Sequence, residues 1–242
     1  MEEKLNFRII IRTIIFFPLF IVFILFPIIL LIIFVSFLPF GKIIATRIYE
    51  FFGWIGLKIA GVKLIVDGLE KVDKNKSYVV VSNHPSTLDI FTHITALPIS
   101  IRFLTKTELF RIPIFGRALK VLGLPRIDRS NASANFDKIN KSIKQVIENK
   151  YSIMIFPEGT RSNQKSLLPF KKGAAHIAKD FKLPIVPVVS HNAHNLMTKG
   201  KIWLKNGEVR IQILDPITDL ENYSVEELTS HLFKIINDEL HT

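Results

Sequence analysis

The sequence contains no cysteine. That absence excludes a disulfide scaffold, a thiolate zinc site, an iron–sulfur cluster and a cysteine nucleophile. A G-x-S-x-G elbow, the glycine pattern of a P-loop and an H-E-x-x-H pair are also missing. Serine-hydrolase, nucleotide triphosphatase and zincin chemistry therefore have no motif to stand on. No repeat or low-complexity stretch is present. Charge is missing from one long run: nothing between Arg12 and Lys42 is charged, a gap of 29 residues.

What is there is uneven. The 242 residues carry 32 Lys+Arg against 21 Asp+Glu, a net charge of +11, yet 48% are hydrophobic. With 22% charged residues and so much apolar content, the chain is not disordered. Residues 1–60 hold 11 of the 20 Phe and only +3 of the charge; the remaining +8 lies in residues 61–242.

The uncharged run, residues 13–41, exceeds the roughly 20 apolar residues that span a bilayer. It is too long for a signal-peptide core, and no small-residue cleavage site follows. The expectation is an uncleaved N-terminal hydrophobic membrane anchor. Pro27 divides the run into pieces of about 13 residues, each too short to cross alone. Flanking basic residues balance, with Lys4, Arg8 and Arg12 before and Lys42, Arg47 and Lys58 after. A kinked span and a re-entrant hairpin therefore both stay open. Residues 43–60, apolar with Tyr49 and Trp54, read as a helix lying at the interface or capping the core. The expected organisation is an anchor with an interfacial helix over 1–60 and one domain over 61–242.

In that domain, short β-rich runs (62–66, 77–82, 101–105, 151–156 and 184–190) alternate with helical patterns. The fold class is α/β, with a largely parallel central sheet flanked by helices. Residues 202–214 read as a hairpin turning at Asn206-Gly207. Ser224 and Glu227 form a capping box that opens a closing helix.

Three constellations carry chemistry. The run ending at residue 82 leads into Asn83-His84-Pro85-Ser86-Thr87-Leu88-Asp89. Past a strand, where α/β sheets open onto ligands, a reverse turn brings Asp89 to the His84 imidazole and leaves the other ring nitrogen free for a proton. The bland alternative is that Asp89 only caps a helix, since Ser86-x-x-Asp89 is itself a capping pattern. The run ending at Phe156 leads into Pro157-Glu158-Gly159-Thr160-Arg161-Ser162. There Arg161 offers a planar fork suited to phosphate, or an ordinary salt bridge. Between them, Arg102, Lys106, Arg111, Arg117, Lys120, Arg126 and Arg129 are interleaved with apolar residues. That mixture suits an anionic lipid; a nucleic acid would call for aromatic stacking platforms, and no nucleic-acid partner is expected. His191-x-x-His194 supplies two potential ligands, which do not make a metal site.

Together these pieces resemble the glycerolipid acyltransferase family, in particular bacterial 1-acyl-glycerol-3-phosphate acyltransferases. The N-H-x4-D motif matches Asn83, His84 and Asp89. A second motif matches Lys106, Glu108, Leu109, Ile112, Pro113, Phe115, Gly116 and Ile127-Asp128-Arg129. F-P-E-G-T-R-S matches Phe156 to Ser162 throughout, and a proline-bearing apolar run matches Leu183 to Val188. Phe170 to Ala174 looks like the family's helix start. Arg117 and Pro125-Arg126 depart from the pattern.

The resemblance implies acyl transfer from a thioester, on coenzyme A or acyl carrier protein, to the sn-2 hydroxyl of 1-acyl-glycerol-3-phosphate, with no cofactor. His84 would be the base and Asp89 its partner. Lys106, Arg129 and Arg161 would hold the acceptor phosphate; Glu158, Gly159 and Thr160 would line the glycerol site. The partners implied are a membrane lipid and the thioester donor, and the location is the cytoplasmic face of the plasma membrane. Another lysolipid acceptor, or a lipid-binding module without catalysis, remains open.

Overall fold

The computed structural model describes residues 25–128, 136–162, 166–197 and 205–241. The described residues open with α1 (Phe26–Val35) and α2 (Gly41–Ala60). Pro27 falls in the first turn of α1, where its missing N–H leaves no bond unmade. The uncharged run does not continue as one helix: α1 ends at Val35 and α2 starts at Gly41. Residues 13–24 of the expected anchor lie outside the described residues. Among the described residues no helix is long and apolar enough to cross a membrane.

The interfacial helix expected over 43–60 is α2. One face is buried, including Ala45, Tyr49 and Leu57; the other exposes Ile43, Ile44, Phe51 and Trp54. α2 packs against α3 (Asp89–Ala96). A Cβ on Gly56 would come within 2.3 Å of the Phe91 ring, so glycine sets that approach.

A six-stranded sheet forms the core. Its strands are β1 (Val62–Asp67), β2 (Val79–Ser82), β3 (Ile101–Phe103), β6 (Ser152–Ile155), β7 (Ile185–His191) and β8 (Gly207–Ile213). The order is β1-β8-β7-β2-β6-β3, parallel except for the β7–β8 pair. Two short strands, β4 (Thr105–Lys106) and β5 (Arg126–Ile127), pair separately. β2 and β6 are buried at every position, as near-continuous apolar strands covered on both faces must be. Alternation then divides the core. Val80, Met154 and Val186 face α1, α2, α3 and α4 (Phe115–Val121). Val79, Val81, Ile153 and Ile185 face α5 (Phe136–Glu148), α6 (Gly173–Phe181) and α8 (Val225–Leu240); α7 (Ala193–Leu196) is a single short turn.

The type I′ turn expected at Asn206-Gly207 is not formed, and residues 202–204 of the expected hairpin lie outside the described residues. Gly207 is the first residue of β8 and pairs with Val62, and neither residue has the positive φ that a type I′ turn requires. β8 is held by β1 and β7 instead, because its alternating Val209, Ile211 and Ile213 need a buried face. The capping box at Ser224 and Glu227 is present with both of its bonds.

Candidate active site

β7, β2 and β6 are adjacent and mutually parallel in order, so their carboxyl ends emerge at one edge. The loop after β2 carries His84, and the loop after β6 carries Glu158 to Ser162. Open α/β sheets bind ligands at such an edge.

His84 Nδ1 stands 2.8 Å from Asp89 Oδ2. The Asp89 carboxylate is fully buried, while the His84 side chain is 18% exposed. The same Oδ2 accepts the Ser86 N–H at 2.8 Å, and Oδ1 accepts from Ser190 Oγ at 3.2 Å. One oxygen of Asp89 thus makes the contact that each sequence reading requires: it accepts the Ser86 N–H in the turn that opens α3, and it faces the imidazole. With Nδ1 turned to the carboxylate, Nε2 is the nitrogen left for substrate. The His84 ring stacks on Phe156, centroids 4.0 Å apart and planes 8° from parallel.

Two motifs far apart in sequence are sewn together at the backbone. Glu158 Oε1 accepts the His84 N–H at 2.8 Å, and the Ser162 N–H donates to the His84 carbonyl at 3.0 Å. Glu158 Oε2 accepts the Leu168 N–H at 2.9 Å. Both carboxylate oxygens of Glu158 thus serve main-chain amides, and burial raises its carboxyl above the ordinary range against the pull of those bonds. Arg161 Nη1 donates to Thr87 Oγ1, which places the guanidinium beside the loop that joins His84 to Asp89. Gly159, at φ +75°, makes the turn; a Cβ there would lie 3.1 Å from Lys171 Nζ. Thr160 is exposed.

Lys106 is exposed on β4, opposite Ile127 of β5. Arg129 lies outside the described residues. Arg102 does not belong to the basic surface at all. It is fully buried, bonded to Leu122 O at 2.6 Å and Thr46 Oγ1 at 2.7 Å, with its guanidinium 3.7 Å from the Tyr151 ring centroid. Arg111, Arg117, Lys120 and Arg126 are exposed. Beside them lie exposed Leu109, Ile112 and Ile114, and Arg117 sits over Phe37. His191 Nε2 faces Gln212 Oε1 at 3.1 Å.

The dyad loop borders two spaces of opposite character. Thr87 and Leu88 line an apolar cavity of ≈ 410 Å³, walled by Ile29 and Ile32 of α1, Phe52 of α2, Phe91 of α3 and Leu119 of α4. Asn83 and Pro85 line a polar crevice of ≈ 240 Å³, with Glu158, Ser190 and Asn195. Sequence reasoning missed Ser190, Thr87, Phe156 as a stacking platform, and Lys171. Ser190 lies next to last in a strand that was legible, but only the β7–β2 adjacency brings it to Asp89.

Comparison with known proteins agrees with this geometry. The acyltransferase family model matches residues 63–191. A 1-acyl-sn-glycerol-3-phosphate acyltransferase of Limnanthes douglasii is 31% identical over 201 residues, 83% of this chain and 70% of that protein. One of Saccharomyces cerevisiae is 36% identical over 177 residues, 72% of this chain and 58% of that protein. The crystal structure of the 1-acyl-sn-glycerophosphate acyltransferase PlsC of Thermotoga maritima superposes with a TM-score of 0.76 at 25% identity, covering 98% of this chain and 95% of that one. The matched segment holds His84, Asp89 and the Phe156 to Ser162 loop on one sheet edge, so motif order, fold and relatives converge: the chain belongs to the acyltransferase family, among the 1-acyl-sn-glycerol-3-phosphate acyltransferases.

Proposed function

We propose that the protein transfers an acyl group from a thioester donor to the sn-2 hydroxyl of 1-acyl-glycerol-3-phosphate, making phosphatidic acid. The observation that carries this reading is the 2.8 Å contact between His84 Nδ1 and a fully buried Asp89 carboxylate, joined by a loop whose Thr87 and Leu88 line an apolar cavity. His84 Nε2 takes the acceptor's hydroxyl proton as that oxygen attacks the thioester carbonyl. The tetrahedral intermediate collapses, the C–S bond breaks, and the thiolate takes the proton back from Nε2. The Asp89 charge stabilises the imidazolium between those steps. The thioester supplies the activation, so no cofactor is needed.

Arg161 and Lys106 hold the acceptor phosphate, with Arg129 as a further cation; Lys171, beside Gly159, adds charge at the same edge. Thr160 and Gly159 border the glycerol portion, and Glu158 holds the loop that carries His84. The apolar cavity takes an acyl chain. The exposed apolar residues of α1 and α2 enter the membrane interface, and Arg111, Arg117 and Lys120 meet anionic headgroups at roughly 1 kcal/mol each. We place the domain on the cytoplasmic face of the plasma membrane, where thioester donors are made. Protease added to intact cells should leave residues 61–242 uncut; cleavage would refute that side.

The decisive test is purified protein with labelled acyl-coenzyme A or acyl carrier protein and a panel of lysolipids. Fastest transfer to 1-acyl-glycerol-3-phosphate is expected. Faster transfer to another lysolipid would reassign the acceptor, and no transfer to any would refute catalysis.

A further inference from the structure

His93 takes no part in the proton transfer proposed above, yet it touches each element that builds the dyad. It lies one turn after Asp89 on α3 and is fully buried. Nδ1 is 2.7 Å from the Asp89 main-chain oxygen and Nε2 is 2.9 Å from Ser82 Oγ. A carbonyl only accepts, so Nδ1 carries the proton and Nε2 accepts from the Ser82 hydroxyl, whose other acceptor, Asn83 Oδ1, is farther away at 3.3 Å. Ser82 ends β2, two residues before His84. The His93 ring also stands at 88° to Phe156, 5.6 Å away, and Phe156 is the ring on which His84 stacks.

A buried imidazole is worth its desolvation only when both nitrogens are satisfied. Here both are, and the two bonds join the strand that leads to the base with the helix that holds its carboxylate. Burial keeps His93 below the usual imidazole range; the Asp89 charge opposes this, and His84 adds to it. Nε2 therefore stays an acceptor while the neighbouring imidazole gains and loses its proton.

We propose that His93 is a positioning residue, which through Ser82 and the Asp89 carbonyl fixes the approach of the Asp89 carboxylate to His84 Nδ1. The inference rests on the reading of His84 as general base. Misplacing a catalytic group by about 1 Å can cost on the order of 10²-fold.

Three variants separate the parts. His93→Phe fills the volume and removes both bonds. His93→Asn keeps an N–H for the Asp89 carbonyl and loses Ser82. Ser82→Ala leaves the imidazole and removes one bond. At matched folded fraction, judged by thermal melting, kcat should fall about 10- to 100-fold in His93→Phe with KM for both substrates unchanged. His93→Asn and Ser82→Ala should lose about tenfold or less. The low-field proton resonance of the His84 Nδ1–H bonded to Asp89 should weaken in the same order. Wild-type kcat and an unshifted resonance in His93→Phe and Ser82→Ala would overturn the proposal. If His93→Phe does not fold, the other two variants decide. If the wild-type protein transfers no acyl group, the function reading fails but the resonance still tests this inference: its loss supports the role, its persistence overturns it.

Discussion

Asp89→Asn isolates what the carboxylate charge does, because the structure lets asparagine keep nearly every contact. Turned one way, its amide group would face the Ser86 N–H and His84 Nδ1–H, two donors. Turned the other, its oxygen takes the place of Oδ2, which accepts both at 2.8 Å, and its N–H faces Ser190 Oγ, which can accept. The second orientation preserves the capped turn and the imidazole tautomer. Stability should therefore change by no more than about 1 kcal/mol, the scale of a weakened cap. Catalysis should not be spared. The imidazolium formed during attack no longer faces a negative charge; at 4 Å and an effective dielectric near 20 that interaction is worth about 4 kcal/mol. The rate should then fall about 10³-fold. Steady-state transfer and calorimetric melting of the same preparations decide it. Activity within tenfold of wild type would refute the role, whereas equal loss of activity and folded protein would mean that Asp89 is only a cap.

Glu158→Gln leaves one of two backbone amides without a full acceptor and should cost about 1–3 kcal/mol of stability, read as a lowered Tm. Arg102→Met strands the Leu122 carbonyl and loosens α2 from β3, so a fall of comparable size is expected in denaturant melts. His93 stays neutral when folded, whereas unfolded histidine protonates near pH 6.5. Its contribution is thus whole above that pH and is lost below it, at up to about 1.4 kcal/mol per pH unit, and His93→Phe should flatten that slope in acid melts. Arg117→Glu with Lys120→Glu should weaken sedimentation with anionic vesicles, steeply at low salt and little at high salt.

The local signals of this chain were legible because each rests on short-range physics. Val79 to Ser82 and Ser152 to Ile155 announce strands by unbroken apolar runs, and Ser224 with Glu227 announces a helix by reciprocal caps. His84 and Asp89 are five residues apart, within reach of one turn. What stayed hidden depends on strand order. Ser190 meets Asp89, and the Ser162 N–H meets the His84 carbonyl, only because β7 and β6 flank β2. Arg102 looked like one of a basic series, and nothing local distinguishes it; Tyr151, Thr46 and Leu122 close over it from three separate elements. The Asn206-Gly207 signal was locally sound and lost to tertiary pairing with β1.

The position of the dyad follows from the same strand order. In the proposed reaction, a soluble thioester and a lipid acceptor would need one reacting point with dissimilar approaches. The loop from Asn83 to Asp89 meets that demand by geometry: its first half borders the polar crevice and its second half the apolar cavity. Pro85 borders the crevice, and Asp89 turns the chain into α3, whose Phe91 forms part of the apolar wall. The Ser86 N–H that Asp89 Oδ2 accepts lies between the residues that border the crevice and those that line the cavity. A substitution that relaxes the Ser86–Asp89 cap should blur both at once, lowering kcat and widening acceptor choice together, whereas a cavity-wall change on α4 such as Leu119→Ala should alter acyl-chain preference with kcat largely kept.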